Sequence, residues 1–159
     1  MVRERMSLEW VSFGPGRIAL RGRPSPRALP GLRGAGCSHV VTLLSESEGA
    51  LALGEAVRAA GLGWIWLPLR NGNPPVGEAR TRIEAEFPAM WALIDQGASL
   101  LIHCAAGIHR TGMVTYAALR WHGLGRDDAL ARLGELRAHT RAGVAEKHLS
   151  WGDQLAAAR

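Results

Sequence analysis

Residues 103–112 read His-Cys-Ala-Ala-Gly-Ile-His-Arg-Thr-Gly, which separates Cys104 from Arg110 by five residues. A loop of that length can wrap its backbone around one phosphate. The N–H groups of Ala105, Ala106, Gly107, Ile108 and His109 then point inward, and the Arg110 guanidinium closes the ring as a planar, two-pronged donor. Cys104 lies beneath the phosphorus in that arrangement. A thiol reacts as its anion, and with an ordinary pKa of about 8.5 it needs help near neutral pH, which a ring of inward N–H groups at a helix N-terminus supplies. The cradle that holds the anion therefore also arms the nucleophile. Gly107 suits the point where the loop must curl through backbone angles that a Cβ disfavours. Thr111 can turn its hydroxyl toward Cys104 and ease the departure of sulfur when water cleaves a phosphocysteine. Arg110 matches the negative charge that spreads over the phosphoryl oxygens during transfer, a task for which lysine lacks the second prong.

Such a loop needs a strand to deliver the cysteine and a helix to receive the arginine. The apolar run 99–103 reads as a buried strand, and 111–122 as a helix. Upstream, 10–13 and 17–20 read as short strands around Gly14-Pro15-Gly16, 24–30 as a loop entering a short helix, and 39–44 as an apolar strand. Next come a helix over 51–60 ended by Gly61, and a strand over 63–69. The stretch 71–77, rich in Asn, Gly and Pro, is loop, and 78–96 reads as one long amphipathic helix with Ile83, Phe87, Met90, Trp91 and Ile94 on one side. Helices over 126–137 and 145–157 close the chain. Strands alternating with helices predict an α/β fold, a mainly parallel central sheet of about 4–5 strands flanked by helices on both faces, with the site at strand C-terminal ends. Gly14-Pro15-Gly16-Arg17 imitates a dinucleotide fingerprint, but a strand comes after it where a helix is needed.

On residues 103–112 the chain resembles the cysteine-dependent protein tyrosine phosphatase superfamily, especially its dual-specificity group, whose motif is His-Cys, five residues, Arg, then Ser or Thr. The resemblance implies a single phosphatase-like domain over 1–159 that hydrolyses phosphomonoesters through a phosphocysteine, with no metal or other cofactor. It also implies an aspartic acid some thirty residues before the cysteine that protonates the leaving oxygen. Here that stretch reads Trp66-Leu67-Pro68-Leu69-Arg70-Asn71-Gly72-Asn73-Pro74-Pro75, and Asn71 stands where the aspartate is expected. An amide donates no such proton. General acid catalysis contributes roughly 10²–10⁴-fold, so the loss falls hardest on substrates with basic leaving groups. His109 occupies the position where the myotubularin-like lipid phosphatases carry an aspartate thought to act as acid; it either supplies a proton or lines the rim. Glu78 is the nearest carboxyl downstream, in the first turn of a helix. RNA triphosphatase domains and the related baculovirus phosphatase resemble this cradle and also work without the loop acid. An RNA 5′-polyphosphatase is therefore one alternative, and a phosphate-binding pseudophosphatase with little turnover is another.

Composition narrows the setting. Two cysteines, one read as nucleophile and Cys37 as core, argue against a disulfide framework and for a reducing compartment. The N-terminal residues are charged and no apolar run spans a bilayer, so a cytoplasmic location is expected. The formal charge is +5, and Arg3, Arg5, Arg17, Arg21, Arg23, Arg27 and Arg33 outweigh Glu4 and Glu9 near the start of the chain. This balance favours anionic partners: a phosphorylated protein, another phosphate-bearing substrate, or RNA. Arg70 and Arg141 stand where a second phosphate could be met.

Overall fold

The computed structural model describes residues 8–158, so Arg3, Arg5 and Glu4 lie outside the described residues. Five strands form one sheet: β1 (Val11–Phe13), β2 (Gly16–Arg21), β3 (His39–Thr42), β4 (Gly63–Trp66) and β5 (Ser99–His103), in the order β1-β2-β5-β3-β4. Only the β1/β2 pairing, closed by the Gly14-Pro15 turn, is antiparallel; β2/β5, β5/β3 and β3/β4 are parallel. The helices are α1 (Leu29–Leu32), α2 (Ala50–Ala59), α3 (Gly77–Glu84), α4 (Phe87–Asp95), α5 (His109–Trp121), α6 (Arg126–Leu136), α7 (Ala138–Gly143) and α8 (Glu146–Ala157). The mainly parallel α/β sheet read from the alternation of elements is the one observed.

Apolar side chains line both faces of the strands, as a sheet covered on two sides requires. Ile18, Leu20, Val41, Leu100 and Ile102 pack into a core with Phe87, Met113, Tyr116 and Trp151, whereas Ala19, Val40 and Leu101 face a second core with Leu29, Leu32, Leu53 and Val57. Cys37 belongs to that second core, where burial pushes its thiol up to about 11. The central β5 is buried along its whole length. It aligns His103 opposite both Arg21 of β2 and Thr42 of β3, so the ends of three strands surround the loop that begins at Cys104.

Three expectations need correction. The 78–96 segment is two helices: α3 stops at Glu84 and α4 restarts at Phe87 with Pro88 in its first turn, where a missing N–H costs nothing. The strand over 63–69 ends at Trp66. Leu67 and Leu69 still donate their N–H groups to Thr42 and Leu43, but Pro68 between them has none to give. The short α7 has no counterpart among the elements expected from the sequence.

Candidate active site

β5 carries His103 and Cys104 to the carboxyl edge of the sheet, and α5 begins at His109. Between them the chain turns through a tight loop with Ala105 and Ala106 exposed on its rim and Cys104 at its base, 3% exposed. Each main-chain carbonyl from Cys104 to Ile108 is taken by a donor outside this loop. His103 Nδ1–H reaches the Cys104 oxygen at 3.1 Å, and the Arg23 N–H reaches Ala105 at 2.9 Å. Arg137 Nη1 bonds both Ala106 (3.2 Å) and Gly107 (3.0 Å), Thr140 Oγ1 adds a bond to Gly107 at 2.5 Å, and the Gly112 N–H takes Ile108 at 2.7 Å. A trans peptide points its N–H opposite to its C=O, so the N–H groups of residues 105–109 turn to the concave side. The Gly107 N–H accordingly meets Cys104 Sγ at 3.2 Å, and the Thr111 hydroxyl donates to the same sulfur at 3.0 Å. The first N–H groups of α5, which have no partner within the helix, open onto the same concavity.

His103 fixes the loop from below. Its Nδ1 faces a carbonyl and must carry the proton, which leaves Nε2 to accept from Thr42 Oγ1 at 2.8 Å; that hydroxyl in turn accepts from Trp64 Nε1–H at 2.8 Å. Full burial first, then the nearby arginines, lowers His103 to about 4, so it is a neutral structural link.

Arg110 is held by a residue that the motif does not contain. Its Nη1 and Nη2 grip Glu48 Oε1 and Oε2 at 2.6 and 3.0 Å, and Nη1 also donates to the Leu69 carbonyl at 2.9 Å. Glu48 is itself oriented by Ser45, whose N–H and hydroxyl bond Oε1 at 3.0 and 2.9 Å. The hydrogen-bonded Glu48 carboxylate first, and then Cys104 beside the rest of the guanidinium, raise the Arg110 pKa. Reciprocally, the Arg110 hydrogen bond is the largest influence that holds Glu48 down at about 2. Because its folded-state value lies below the ordinary one, Glu48 contributes stability that is present above about pH 4.5 and is lost as pH falls toward 2. Glu48→Gln is therefore expected to lower stability at pH 6 by about 1 kcal/mol after solvent screening. The gap to the natural protein should narrow as pH falls below about 4.5 and close near pH 2 in urea titrations; a gap that stays constant across that window would show that charge is not its source.

The remaining sequence candidates surround this centre. His109, exposed, is the first residue of α5 and packs beside Gly72, where an added Cβ would meet His109 Cβ at 3.1 Å. Asn71 is exposed, and its Oδ1 accepts the Asn73 N–H at 2.9 Å, a turn within its own loop. Arg70 is exposed next to the carbonyl that anchors Arg110, and Glu78 is exposed in the first turn of α3. Arg141 lies in α7, the helix whose Thr140 secures Gly107. Sequence reasoning missed Glu48 and Arg137. The Ser45-x-x-Glu48 spacing was a readable local turn signal, but nothing in it pointed to Arg110, which is distant in sequence. Among the described residues, no helix is long and apolar enough to cross a membrane.

Comparison with known proteins bears on this arrangement. Residues 21–124 match the family model described as "Polymorphic toxin system, DSP-PTPase phosphatase". The fold is similar to that of Tk-PTP in its active form, at 22% identity over 89% of this chain and 92% of that one, with a TM-score of 0.75. It is equally similar to kinase associated phosphatase carrying serine in place of its catalytic cysteine (18%, 97% and 99%, 0.75) and to PTPMT1 in complex with PI(5)P (15%, 94% and 96%, 0.75). No curated protein matches the sequence. Since the family match takes in β5, the loop, α5 and the segment that carries Glu48, the chain belongs to the DSP-PTPase phosphatases of polymorphic toxin systems, and it is a cysteine-dependent phosphatase.

Proposed function

We propose that this protein hydrolyses phosphomonoesters of the phosphotyrosine and dual-specificity type in two displacements. The Cys104 sulfur attacks phosphorus and forms an S–P bond as the P–O bond to the leaving group breaks. The N–H groups of Ala105, Ala106, Gly107, Ile108 and His109, with the near edge of Arg110, hold the three equatorial oxygens. His109 gives its proton to the departing oxygen and becomes neutral, then takes a proton from the water that cleaves the phosphocysteine; Thr111 receives the returning sulfur as hydrogen-bond donor. Asn71 shapes its loop and transfers no proton. Arg70 faces an anionic substrate at the rim.

The observation that carries this reading is the outward engagement of five successive carbonyls, because it leaves the inward N–H groups set before any ligand arrives. The test is phosphate release from a phosphotyrosine peptide, 4-nitrophenyl phosphate and triphosphorylated RNA. Both monoesters are expected to turn over. In His109→Ala the phosphotyrosine rate should fall about 10²-fold, and the nitrophenyl rate, whose leaving group needs little protonation, only a few-fold. Hydrolysis of the RNA alone would replace the substrate class with a phosphoanhydride. Binding without release from any of the three would leave a phosphate-binding module.

A further inference from the structure

The loop after β4, the first turn of α5 and the first turn of α8 meet at one place on the mouth. There the rings of His109 and His148 lie face to face, with centroids 4.9 Å apart and planes 6° from parallel. His148 is 3% exposed, and its Nδ1 accepts the Ala145 N–H at 2.8 Å. An Nδ1 that accepts cannot carry a proton, so the ring is neutral with its hydrogen on Nε2. A side chain at Gly72 would come within 3.5 Å of that Nε2 and within 3.1 Å of His109 Cβ, so the loop backbone closes the stack from the third side.

The mount is stiff. α8 lies so close to α5 that a Cβ on Gly152 would sit 2.6 Å from Tyr116 Cδ1. Just beyond, the Asp153 carboxylate ties Tyr116 and Arg120 of α5 to Arg126 of α6, with bonds of 2.5, 2.6 and 2.5 Å. His148 therefore cannot follow His109 if the latter swings away. A fixed neutral aromatic face against an imidazole restricts the rotamers open to it.

We infer that His148 is a positioning residue of the active site, whose ring holds the His109 imidazole in one orientation at the mouth so that His109 can deliver a proton to the leaving oxygen. The inference rests on the role of His109 given under Proposed function and adds a residue that lies outside the stretch matched by the family model. It also assigns the N-terminal turn of α8 a part in turnover, in a chain whose loop carries Asn71 at the place expected of an acid.

The test uses two variants that divide the side chain's properties. His148→Asn keeps an acceptor for the Ala145 N–H and removes the ring; His148→Phe keeps a flat ring and removes the acceptor. Turnover of a phosphotyrosine peptide and of 4-nitrophenyl phosphate is measured for both, with His109→Ala alongside. His148→Asn is expected to lose about 10-fold in kcat on the peptide at unchanged KM, with the nitrophenyl rate within about 2-fold, because a misoriented donor hurts only the step that needs it. His148→Phe should keep the natural ratio of the two rates. In proton NMR, the upfield ring-current shift of the His109 ring protons should vanish in His148→Asn and persist in His148→Phe. If His109→Ala leaves the ratio unchanged, the role of His109 itself fails. If His109→Ala changes the ratio and His148→Asn does not, or if His148→Phe falls as far as His148→Asn, the positioning role alone is overturned. The nitrophenyl rate also reports folding, since a general loss would lower both substrates together.

Discussion

Cys104→Ser loses phosphate release from every substrate by at least about 10⁴-fold, yet keeps its affinity for phosphate-bearing ligands within a few-fold. The loss follows from the nucleophile. A serine hydroxyl in the same place has donors from Gly107 and Thr111, which both point hydrogens at Cys104 Sγ, but no base to take its proton. The retained affinity follows from the frame, since the carbonyls that hold the loop bond to His103, Arg23, Arg137, Thr140 and Gly112, none of which depends on sulfur. Phosphate release by a colorimetric assay and peptide binding by calorimetry check the two halves. Equal rates of release for the natural protein and the variant would remove the covalent route through Cys104.

Arg110→Lys should lower kcat/KM by about 10²–10³-fold, the typical loss when one preorganised donor to a developing oxyanion is removed. An ammonium is a point charge. It cannot hold Glu48 with two parallel bonds, as the guanidinium does, and also offer a second edge for phosphoryl oxygens on the side of Cys104. The same comparison in a Glu48→Gln background should be markedly non-additive, because the two residues act as one unit. Additive losses, or a lysine variant within a few-fold of the natural rate, would mean that Arg110 is not oriented through Glu48.

What the sequence made legible is what it keeps contiguous. Cys104, Gly107, Arg110 and Thr111 lie on one strand-loop-helix turn, so their types and spacing report the cradle before the rest of the fold is known. Element positions followed from periodicity to within a residue or two for β2, α2, α5, α6 and α8. Periodicity also misled: the apolar side chains of Ile83, Phe87, Met90 and Ile94 keep a helical rhythm across a break that hydrogen bonding imposes near Glu86 and Pro88. α7 offers no apolar stripe to read, and its place is set by Thr140 reaching Gly107. Glu48 became visible only once β3 and β5 were neighbours in the sheet. His148 stayed hidden for the same reason, since nothing local distinguishes it from any histidine in the first turn of a helix.

Gly107 carries a consequence of its own. Its φ is +74°, and a Cβ built on it would sit 2.4 Å from the main-chain carbonyl of Arg21 in β2. The clash is with the sheet and not with any guest in the loop. A descendant of this protein that abandoned turnover and survived as a mere reader of phosphate would be obliged to retain that glycine, while Cys104 and Thr111 would be free to drift. When the motif is used to sort active members of such a lineage from silent ones, the glycine certifies the architecture, and the sulfur with its hydroxyl neighbour testifies to the trade.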